Sequence, residues 1–286
     1  MRFSIVTAFQ PCDHLIPLAK AADELGYHAI SIPDHVVDLE ELATPYPYTP
    51  DGKRRWDIEA EWPDPWVLVG ALSAVTTRVR FFTSIYVAAM RNPFQVAKTV
   101  GTAAVLSGDR VSLGVGIGWC REEFELLGAS FGTRGKRTDE GLSLMKALWE
   151  PGWTEFEGQF YTAPKLMMNP SPRAQVPILV GGLSEIAFQR AARHDGWVGD
   201  IYTIEEAVGH AARLQEIRAE HGATGDFSVI TALSDAFLPE HFATAEAGGI
   251  TEVWTMPWVY YHGMDATLEQ KLDGMERFAV DIIGAL

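Results

Sequence analysis

Four residues with metal-binding or proton-carrying side chains follow apolar runs of the sequence, namely Asp34, His35, Asp200 and Asp235. They combine carboxylates with a single imidazole, which is a poor ligand set for a metal ion. No Gly-x-Ser-x-Gly motif and no cysteine–histidine pair is present, and Cys120 is either a reactive thiol or, as we expect, a buried and inert one. The sequence therefore predicts no metal site and offers no motif for a nucleophile.

The other apolar runs end in glycines, aromatic residues and small polar groups. A Gly-x-Gly-Trp motif at residues 116–119 ends one run, and Gly181-Gly182 with Ser184 stands between a run and a predicted helix start. Paired glycines let backbone N–H groups approach a phosphate that a helix N-terminus also favours, although a tight turn explains the pair equally well. Glycine at a strand end can also simply relieve packing. These run ends are typical of a site for a planar apolar ligand with a phosphate, such as a flavin-like cofactor.

The apolar runs that position these residues alternate with helical segments. At residues 79–119, two runs rich in branched and aromatic residues enclose a predicted helix, a unit whose strands pair in parallel. We predict eight strands, at Phe3–Phe9, His28–Ile32, Val79–Val87, Val111–Ile117, Pro177–Val180, Gly196–Gly199, Phe227–Leu233 and Ile250–Met256. Eight such units indicate an α/β fold of the (β/α)₈ TIM barrel type, since an open sheet would carry charges or prolines in its edge strands. The active site is expected where the strands end.

Two segments interrupt the alternation. The first is a long loop after the second strand, Val36–Pro63, and the second is an insertion before the fifth strand, at residues 152–173. The aromatic residues of the loop are Tyr46, Tyr48, Trp56 and Trp62. A loop of this length is usually functional, and its aromatic residues predict a lid that packs on apolar groups. Within the insertion, Phe156–Tyr161 predicts a small hairpin around Gly158.

Composition and charge restrict the classes of partner. The 286-residue chain has a formal net charge of −15, which disfavours nucleic acid and anionic membrane surfaces. Its two cysteines are too few for a disulfide framework and suit a reducing cytosol. The N-terminal segment lacks the features of a signal peptide, and no apolar run approaches the roughly 20 residues that span a bilayer. We expect a cytoplasmic protein with one domain over residues 1–286 that acts on a small molecule.

Nearly the whole chain resembles the bacterial luciferase-like superfamily of flavin and deazaflavin oxidoreductases, and within it the branch that uses coenzyme F420. The resemblance is carried by SIPDHV (31–36), PYPYTPDGK (45–53), residues 64–87, residues 91–128 and residues 177–199. The Gly-x-Gly-Trp motif followed by Glu122-Glu123-Phe124 is the most specific of these features. The Tyr-Pro-Tyr loop is similar to that of the F420 branch.

The resemblance implies a cofactor ring across the C-terminal mouth of the barrel. It also implies a non-proline cis peptide bond in the third strand, at Ser84–Ile85, and it places His35 near the reactive carbon, where it can orient a substrate or carry a proton. The alternative is a helix-capping Asp34 and a merely buried His35. With His35 as the catalytic residue, the predicted cofactor contacts are Asp34, Thr83, Ser84, Ile85, Gly116, Gly118, Trp119, Gly181, Gly182 and Ser184.

One position departs from the pattern of the F420 branch. Its sugar-phosphate dehydrogenases place a proton-donating glutamate directly after Gly-x-Gly, where this chain has Trp119. Because this chain lacks that acid, we do not expect it to share the substrate of the sugar-phosphate dehydrogenases. Glu122 and Glu123 are interpreted as charges that cap the following helix.

These features predict an F420-dependent oxidoreductase that moves a hydride between the deazaflavin ring and a small organic substrate. Two alternatives remain open: an FMN-dependent monooxygenase of the same superfamily, and a non-catalytic protein that binds a flavin or deazaflavin. The resemblance also implies a homodimer, so the aromatic residues of the loop can close over substrate or be buried against a second subunit.

Overall fold

A closed barrel of eight parallel strands forms the centre of the computed structural model, which describes residues 1–286. The strands of the chain are β1 (Arg2–Val6), β2 (Ala29–Ile32), β3 (Arg80–Thr83), β4 (Val111–Val115), β5 (Thr154–Glu157), β6 (Thr162–Leu166), β7 (Ile178–Gly181), β8 (Gly196–Tyr202), β9 (Ser228–Leu233) and β10 (Glu252–Thr255). β5 and β6 form a separate hairpin, and β10 closes the barrel on β1, with Phe3 level with Val253. The prediction of a (β/α)₈ TIM barrel is confirmed.

Helices connect the strands and cover the outside of the barrel. They are α1 (Cys12–Leu25), α2 (Pro65–Ser73), α3 (Pro93–Ser107), α4 (Arg121–Leu126), α5 (Arg134–Trp149), α6 (Glu185–Ala191), α7 (Ile204–Glu220), α8 (Pro239–Ala247), α9 (Val259–His262) and α10 (Leu268–Asp281). Capping side chains determine where several begin: the Asp64 carboxylate accepts hydrogen bonds from the N–H groups of Trp66 and Val67, each at 3.0 Å. None of the helices combines the length and apolar composition that crossing a bilayer requires.

Apolar side chains form two layers because successive residues of a strand point to opposite faces. The larger layer is a cluster of 55 buried residues between the strands and the helices. The inner layer fills the barrel and contains Ala29, Phe82, Leu179, Val198 and Ile230. Burial on both faces explains why the strands read as continuous apolar runs.

The third strand is shorter than predicted. β3 ends at Thr83, the Ser84–Ile85 peptide bond is cis as the resemblance implied, and Tyr86 returns to the sheet as an isolated bridge to Val115. The predicted strand to Val87 is therefore interrupted at the C-terminal end of the barrel, next to the expected site.

The strand predicted at Gly196–Gly199 is longer than expected. β8 continues to Tyr202, because its pairing with β9 shifts after Val198 and resumes at Ile201, opposite Ala232. This extension carries Asp200 up to the C-terminal end of the barrel. The hairpin predicted in the insertion is confirmed as β5 and β6.

Candidate functional site

The site lies where the C-terminal ends of the barrel strands meet the β2–α2 loop, residues 33–64. We call this end of the barrel the rim. β2 ends at Ile32, and the chain continues directly into Asp34 and His35. Inside the barrel, the hydroxyl of Ser31 on β2 donates a hydrogen bond to that of Ser84, which follows β3. The ends of β2 and β3 are thus joined beneath Asp34 and His35.

His35 is held by a buried carboxylate on α4. Its Nδ1 lies 2.9 Å from Glu123 Oε2, while Glu123 Oε1 accepts a hydrogen bond from the Val36 N–H at 2.8 Å. Burial acts to raise the pKa of Glu123, but the hydrogen bond and charge of His35 and the backbone N–H groups outweigh it, so the pKa lies below its ordinary value. An ionised carboxylate only accepts hydrogen bonds, which assigns a proton to His35 Nδ1.

The second ring nitrogen of His35, Nε2, makes no hydrogen bond within the chain. It is therefore the atom through which His35 can exchange a proton with a bound molecule. Glu123 lies in the first turn of α4, as expected of a capping charge, but its carboxylate also binds His35 across the site. Glu123 is 2 % exposed and faces a histidine that precedes it by 88 positions, a relation that no local pattern reveals.

Asp34 is paired with an arginine. Its two carboxylate oxygens each lie 2.7 Å from the Arg91 guanidinium, and Oδ2 also accepts a hydrogen bond from the Val87 N–H at 2.9 Å. Burial raises the pKa of Asp34, and the hydrogen bonds and charge of Arg91 act against this shift. Asp34 caps no helix; it ties the end of β2 to the segment after β3. Its contact with a cofactor stays a prediction, and a contact through its carboxylate would compete with Arg91.

Aromatic rings enclose His35. We define the aromatic cluster as Phe9, Tyr46, Trp56, Trp62 and Trp119. The imidazole centroid lies 4.8 Å from that of Trp62, 5.2 Å from Trp56 and 6.0 Å from Trp119. Tyr46 lies 5.2 Å from Trp119 and thereby joins the loop to the segment after β4. The expected lid therefore packs on His35 and on Trp119.

Asp38 orients two rings of the aromatic cluster. Its carboxylate accepts hydrogen bonds from the indole N–H groups of Trp56 and Trp62, both at 3.1 Å, and from Arg54 at 3.1 Å. Because both indole N–H groups are satisfied in this way, the apolar ring faces remain for packing.

Two further carboxylates anchor the β2–α2 loop. Arg55 forms a bidentate pair with Asp200 on β8, at 2.8 and 2.7 Å. Glu122 accepts hydrogen bonds from the N–H groups of Ala43 and Thr44, each at 2.9 Å. Although burial opposes the change, these N–H groups help to lower the pKa of Glu122 to about 2. Glu122 thus anchors the loop in addition to lying in the first turn of α4, where we expected a capping charge.

Among the predicted contacts, Ile85 packs against both Gly116 and Gly181. A Cβ atom on Gly116 would lie 1.7 Å from Ile85 Cδ1, and one on Gly181 would lie 2.7 Å from Ile85 Cγ2. Both glycines therefore make room for Ile85 itself. Below them, Thr83 donates a hydrogen bond to the Gly114 carbonyl at 2.7 Å.

The other predicted glycines shape the rim. Gly118, which precedes Trp119, has a φ of 79°, and a Cβ there would lie 2.6 Å from Val87. Ser184, which follows the predicted Gly181-Gly182 turn, caps α6 by accepting a hydrogen bond from the Ala187 N–H at 3.2 Å. The structure brings all the predicted residues to the C-terminal side of the barrel, and their contact with a cofactor stays a prediction.

Two buried polar atoms at the rim lack hydrogen-bond partners: Gln10 Oε1 after β1 and the hydroxyl of Tyr202 at the end of β8. The Gln10 amide donates to the Ala8 carbonyl at 3.0 Å, which leaves its oxygen free. A buried polar group without a partner is unfavourable, so these atoms mark the rim as a place for a polar ligand edge. Together with the aromatic cluster, they fit a flat tricyclic cofactor that has apolar faces and a polar edge.

The residues considered as metal ligands are engaged elsewhere. Asp34 and Asp200 pair with arginines, and Asp235 accepts a hydrogen bond from the Ile204 N–H at 2.9 Å. No group of three or more His, Cys, Asp or Glu side chains is arranged to hold a metal ion. Burial raises the pKa of Cys120 to about 11, which is typical of an inert thiol.

Comparisons with known proteins concern the family and the fold of the chain. A family model described as luciferase-like monooxygenase matches residues 1–236. An uncharacterized protein of Mycobacterium tuberculosis is 39% identical over 290 residues, which cover 99% of each chain. The monooxygenase RslO1 from Streptomyces bottropensis has a TM-score of 0.76 at 18% identity, covering 100% of this chain and 99% of its own. The coenzyme F420-dependent tetrahydromethanopterin reductase from Methanopyrus kandleri has a TM-score of 0.73 at 12% identity, covering 99% of both chains. At such identities the two solved structures show a shared fold.

Proposed function

The chain belongs to the luciferase-like monooxygenase family, and we propose that it is an F420-dependent oxidoreductase that moves a hydride between the deazaflavin ring and a small organic substrate. The observation that carries this proposal is the His35–Glu123 pair at the rim, whose Nε2 is free and stands among aromatic rings. A reductase that shares the fold is described as dependent on coenzyme F420.

The rim would hold the cofactor. A bound deazaflavin would supply the carbon that carries the hydride. The residues that we propose to contact it are those predicted from the sequence: Asp34, Thr83, Ser84, Ile85, Gly116, Gly118, Trp119, Gly181, Gly182 and Ser184. Gln10 and Tyr202 add a buried acceptor and a buried hydroxyl to this set.

His35 handles the proton that accompanies the hydride. When a carbonyl group is reduced, its carbon gains the hydride and its oxygen gains a proton, which protonated His35 donates from Nε2. The neutral imidazole that remains keeps its Nδ1 proton on the hydrogen bond to Glu123. In the oxidising direction, Nε2 accepts the hydroxyl proton instead. Glu123 is a positioning residue, because it acts through His35.

The β2–α2 loop excludes water from this chemistry. Glu122 and Asp200 hold the loop over the rim through backbone and guanidinium donors, and Asp38 ties the loop to itself through indole donors. Exclusion of water strengthens the interactions between a proton donor and its acceptor. We further propose that residues 1–286 act as one domain and that two copies form a homodimer.

The runner-up is an FMN-dependent monooxygenase. It is favoured by the monooxygenase RslO1, which shares the fold over the whole chain. FMN supports reactions with oxygen, whereas a deazaflavin transfers hydride, so the two proposals differ in the cofactor bound and in oxygen consumption.

Parallel titrations with F420 and FMN test the proposal. We expect submicromolar binding of F420 and reoxidation of reduced F420 by an organic substrate. Submicromolar binding of FMN without binding of F420 would reverse the choice, and binding of F420 that is never followed by turnover would favour a binding protein.

The role of His35 has its own test. Substitution His35→Ala is expected to lower turnover by about 100-fold or more while F420 binding persists. The exposed His221 at the end of α7 gives a matched control, His221→Ala, which should keep wild-type turnover. Unchanged turnover in His35→Ala would remove His35 from the mechanism.

A further inference from the structure

The two arginines of the β2–α2 loop and Arg91 of the rim are already paired with carboxylates. Arg54 lies 3.1 Å from Asp38, and Arg55 lies 2.7 Å from Asp200. Arg91 of the rim pairs with Asp34. The remaining lysine of the loop, Lys53, is exposed. A phosphate or carboxylate brought next to His35 would find these three arginines already paired, and Arg121 and Arg134, which pair with no carboxylate, lie over Phe131.

The carboxylates around His35 are equally occupied. Asp38 accepts hydrogen bonds from three side chains, Glu122 from two backbone N–H groups, and Glu123 from His35 and the Val36 N–H. A cationic substrate would therefore have to displace a donor from one of them. Moving an unpaired charge of either sign into such surroundings is unfavourable.

Aromatic rings are the apolar groups that pack on the His35 imidazole. Trp56, Trp62 and Trp119 lie within 6.0 Å of the imidazole, between ring centroids. The indole N–H groups of Trp56 and Trp62 are taken by Asp38. A flat ring can stack on such faces or meet them edge-on, whereas a hydrated sugar cannot replace its lost hydrogen bonds there.

We propose that the substrate is a neutral, planar aromatic compound with one carbonyl or hydroxyl oxygen that hydrogen-bonds to His35 Nε2. This inference rests on the proposed function, which places the reacting oxygen of the substrate at His35 Nε2. It names a substrate class and separates this chain from enzymes that act on phosphorylated sugars.

Isothermal titration calorimetry measures the preference with three probes: 2-acetonaphthone, which is neutral and aromatic, glucose 6-phosphate, which is anionic, and choline, which is cationic. Each is titrated into the cofactor-free protein and into the protein saturated with F420. The dissociation constant of 2-acetonaphthone is expected to be at least about tenfold lower than those of the other two.

Tryptophan variants locate the binding. Trp56→Leu and Trp62→Leu are each expected to weaken 2-acetonaphthone binding by about tenfold. The matched control is Trp153→Leu, since Trp153 is 67 % exposed and lies in the insertion beside β5. Equal losses in all three variants, or no loss in either loop variant, would overturn the proposal.

The affinities of the wild-type protein for the three probes test the proposal even if a loop variant folds poorly. Tighter binding of glucose 6-phosphate or choline, or no binding of 2-acetonaphthone, overturns the substrate class. Binding of 2-acetonaphthone to a protein that binds neither F420 nor FMN would refute the proposed function and leave the substrate class standing. Turnover with F420 but no binding of the aromatic probe would support the proposed function and refute the substrate class.

Discussion

Glu123 joins two donors that a glutamine cannot satisfy together. The carboxylate accepts from His35 with one oxygen and from the Val36 N–H with the other. Glu123→Gln leaves one acceptor oxygen, and its amide N–H would donate to His35 Nδ1, so the acceptor that holds the Nδ1 proton is lost. We expect kcat to fall by up to about 100-fold, with a smaller change in KM, in steady-state kinetics of the F420-loaded enzyme.

Two companion variants make this prediction specific. Glu125 lies exposed on the same helix, so Glu125→Gln should behave as wild type. In a double-mutant cycle, adding Glu123→Gln to His35→Ala should cause little further loss, because the two residues act as a unit. Fully additive losses would show that Glu123 does not act through His35.

Gly116 is predicted to be intolerant of even one methyl group. The Cβ of an alanine would lie 1.7 Å from Ile85 Cδ1, so Ile85 would have to move. Gly116→Ala is expected to lower the free energy of unfolding by about 1–3 kcal/mol in urea denaturation. The same substitution should be less destabilising in an Ile85→Ala background, and Gly132→Ala, where no atom lies within 4 Å, provides the control. Equal losses in both backgrounds would contradict this account.

Single residues also show where sequence reasoning stops. Glu122 and Glu123 are adjacent and chemically identical, yet one binds loop backbone and the other binds His35. Asp38 had no sequence signal except its position at the start of an aromatic-rich loop. Gly116 was expected to contact a cofactor, which stays a prediction, and its packing against Ile85 had no signal in the sequence. These roles depend on contacts between distant segments, which residue type and spacing do not encode.

Among the elements, the β2–α2 loop depends on Asp38 for three side-chain hydrogen bonds that join its two halves. Asp38→Ala leaves two indole N–H groups and a guanidinium group without their acceptor. Amide hydrogen exchange across residues 36–62 is therefore expected to accelerate by about tenfold, while the barrel strands keep their protection. Glu41 is an exposed acidic residue of the same loop, so Glu41→Gln should leave exchange unchanged. Acceleration that extends into the strands would point to global destabilisation instead.

Helix α7 offers a stabilising substitution. Gly209 lies inside this helix, does not adopt a positive φ, and has no atom within 4 Å of the position that an alanine Cβ would take. Gly209→Ala is therefore expected to raise the free energy of unfolding by about 0.5–1 kcal/mol, measured by urea denaturation. A destabilised Gly209→Ala protein would show that α7 needs its glycine for a reason absent from these contacts.

The elements were largely predictable because their signals are local. The strand–helix alternation, the long loop and the hairpin each follow from runs of neighbouring residues. The C-terminal ends of β3 and β8 were less predictable. β3 stops at a cis bond, and β8 extends through a shift in pairing that brings Ile201 opposite Ala232. Both depend on the neighbouring strand.

For the whole molecule, closure of the barrel depends on pairing between the first and last strands. Phe3 lies level with Val253, a contact that the count of eight units predicted without specifying its register. Closure also gathers the strand ends at one rim, which is why residues far apart in the sequence form one site. The stability of this closed structure should depend on pH through histidines that it buries.

His194 gives the clearest test of that dependence. Burial, with the charge of Lys146, lowers its pKa from 6.5 to about 4, and its Nδ1 lies 3.3 Å from Lys146 Nζ. Because the unfolded chain binds the proton more readily, stability is full above pH 6.5 and is lost as the pH falls toward 4. His194→Asn removes one titrating group. The free energy of unfolding, measured by urea denaturation at each pH in this window, should then change with pH less steeply, by up to about 1.4 kcal/mol per pH unit. His221→Asn, which removes an exposed histidine, should keep the wild-type slope. An unchanged slope in His194→Asn would mean that His194 is not a source of the acid sensitivity.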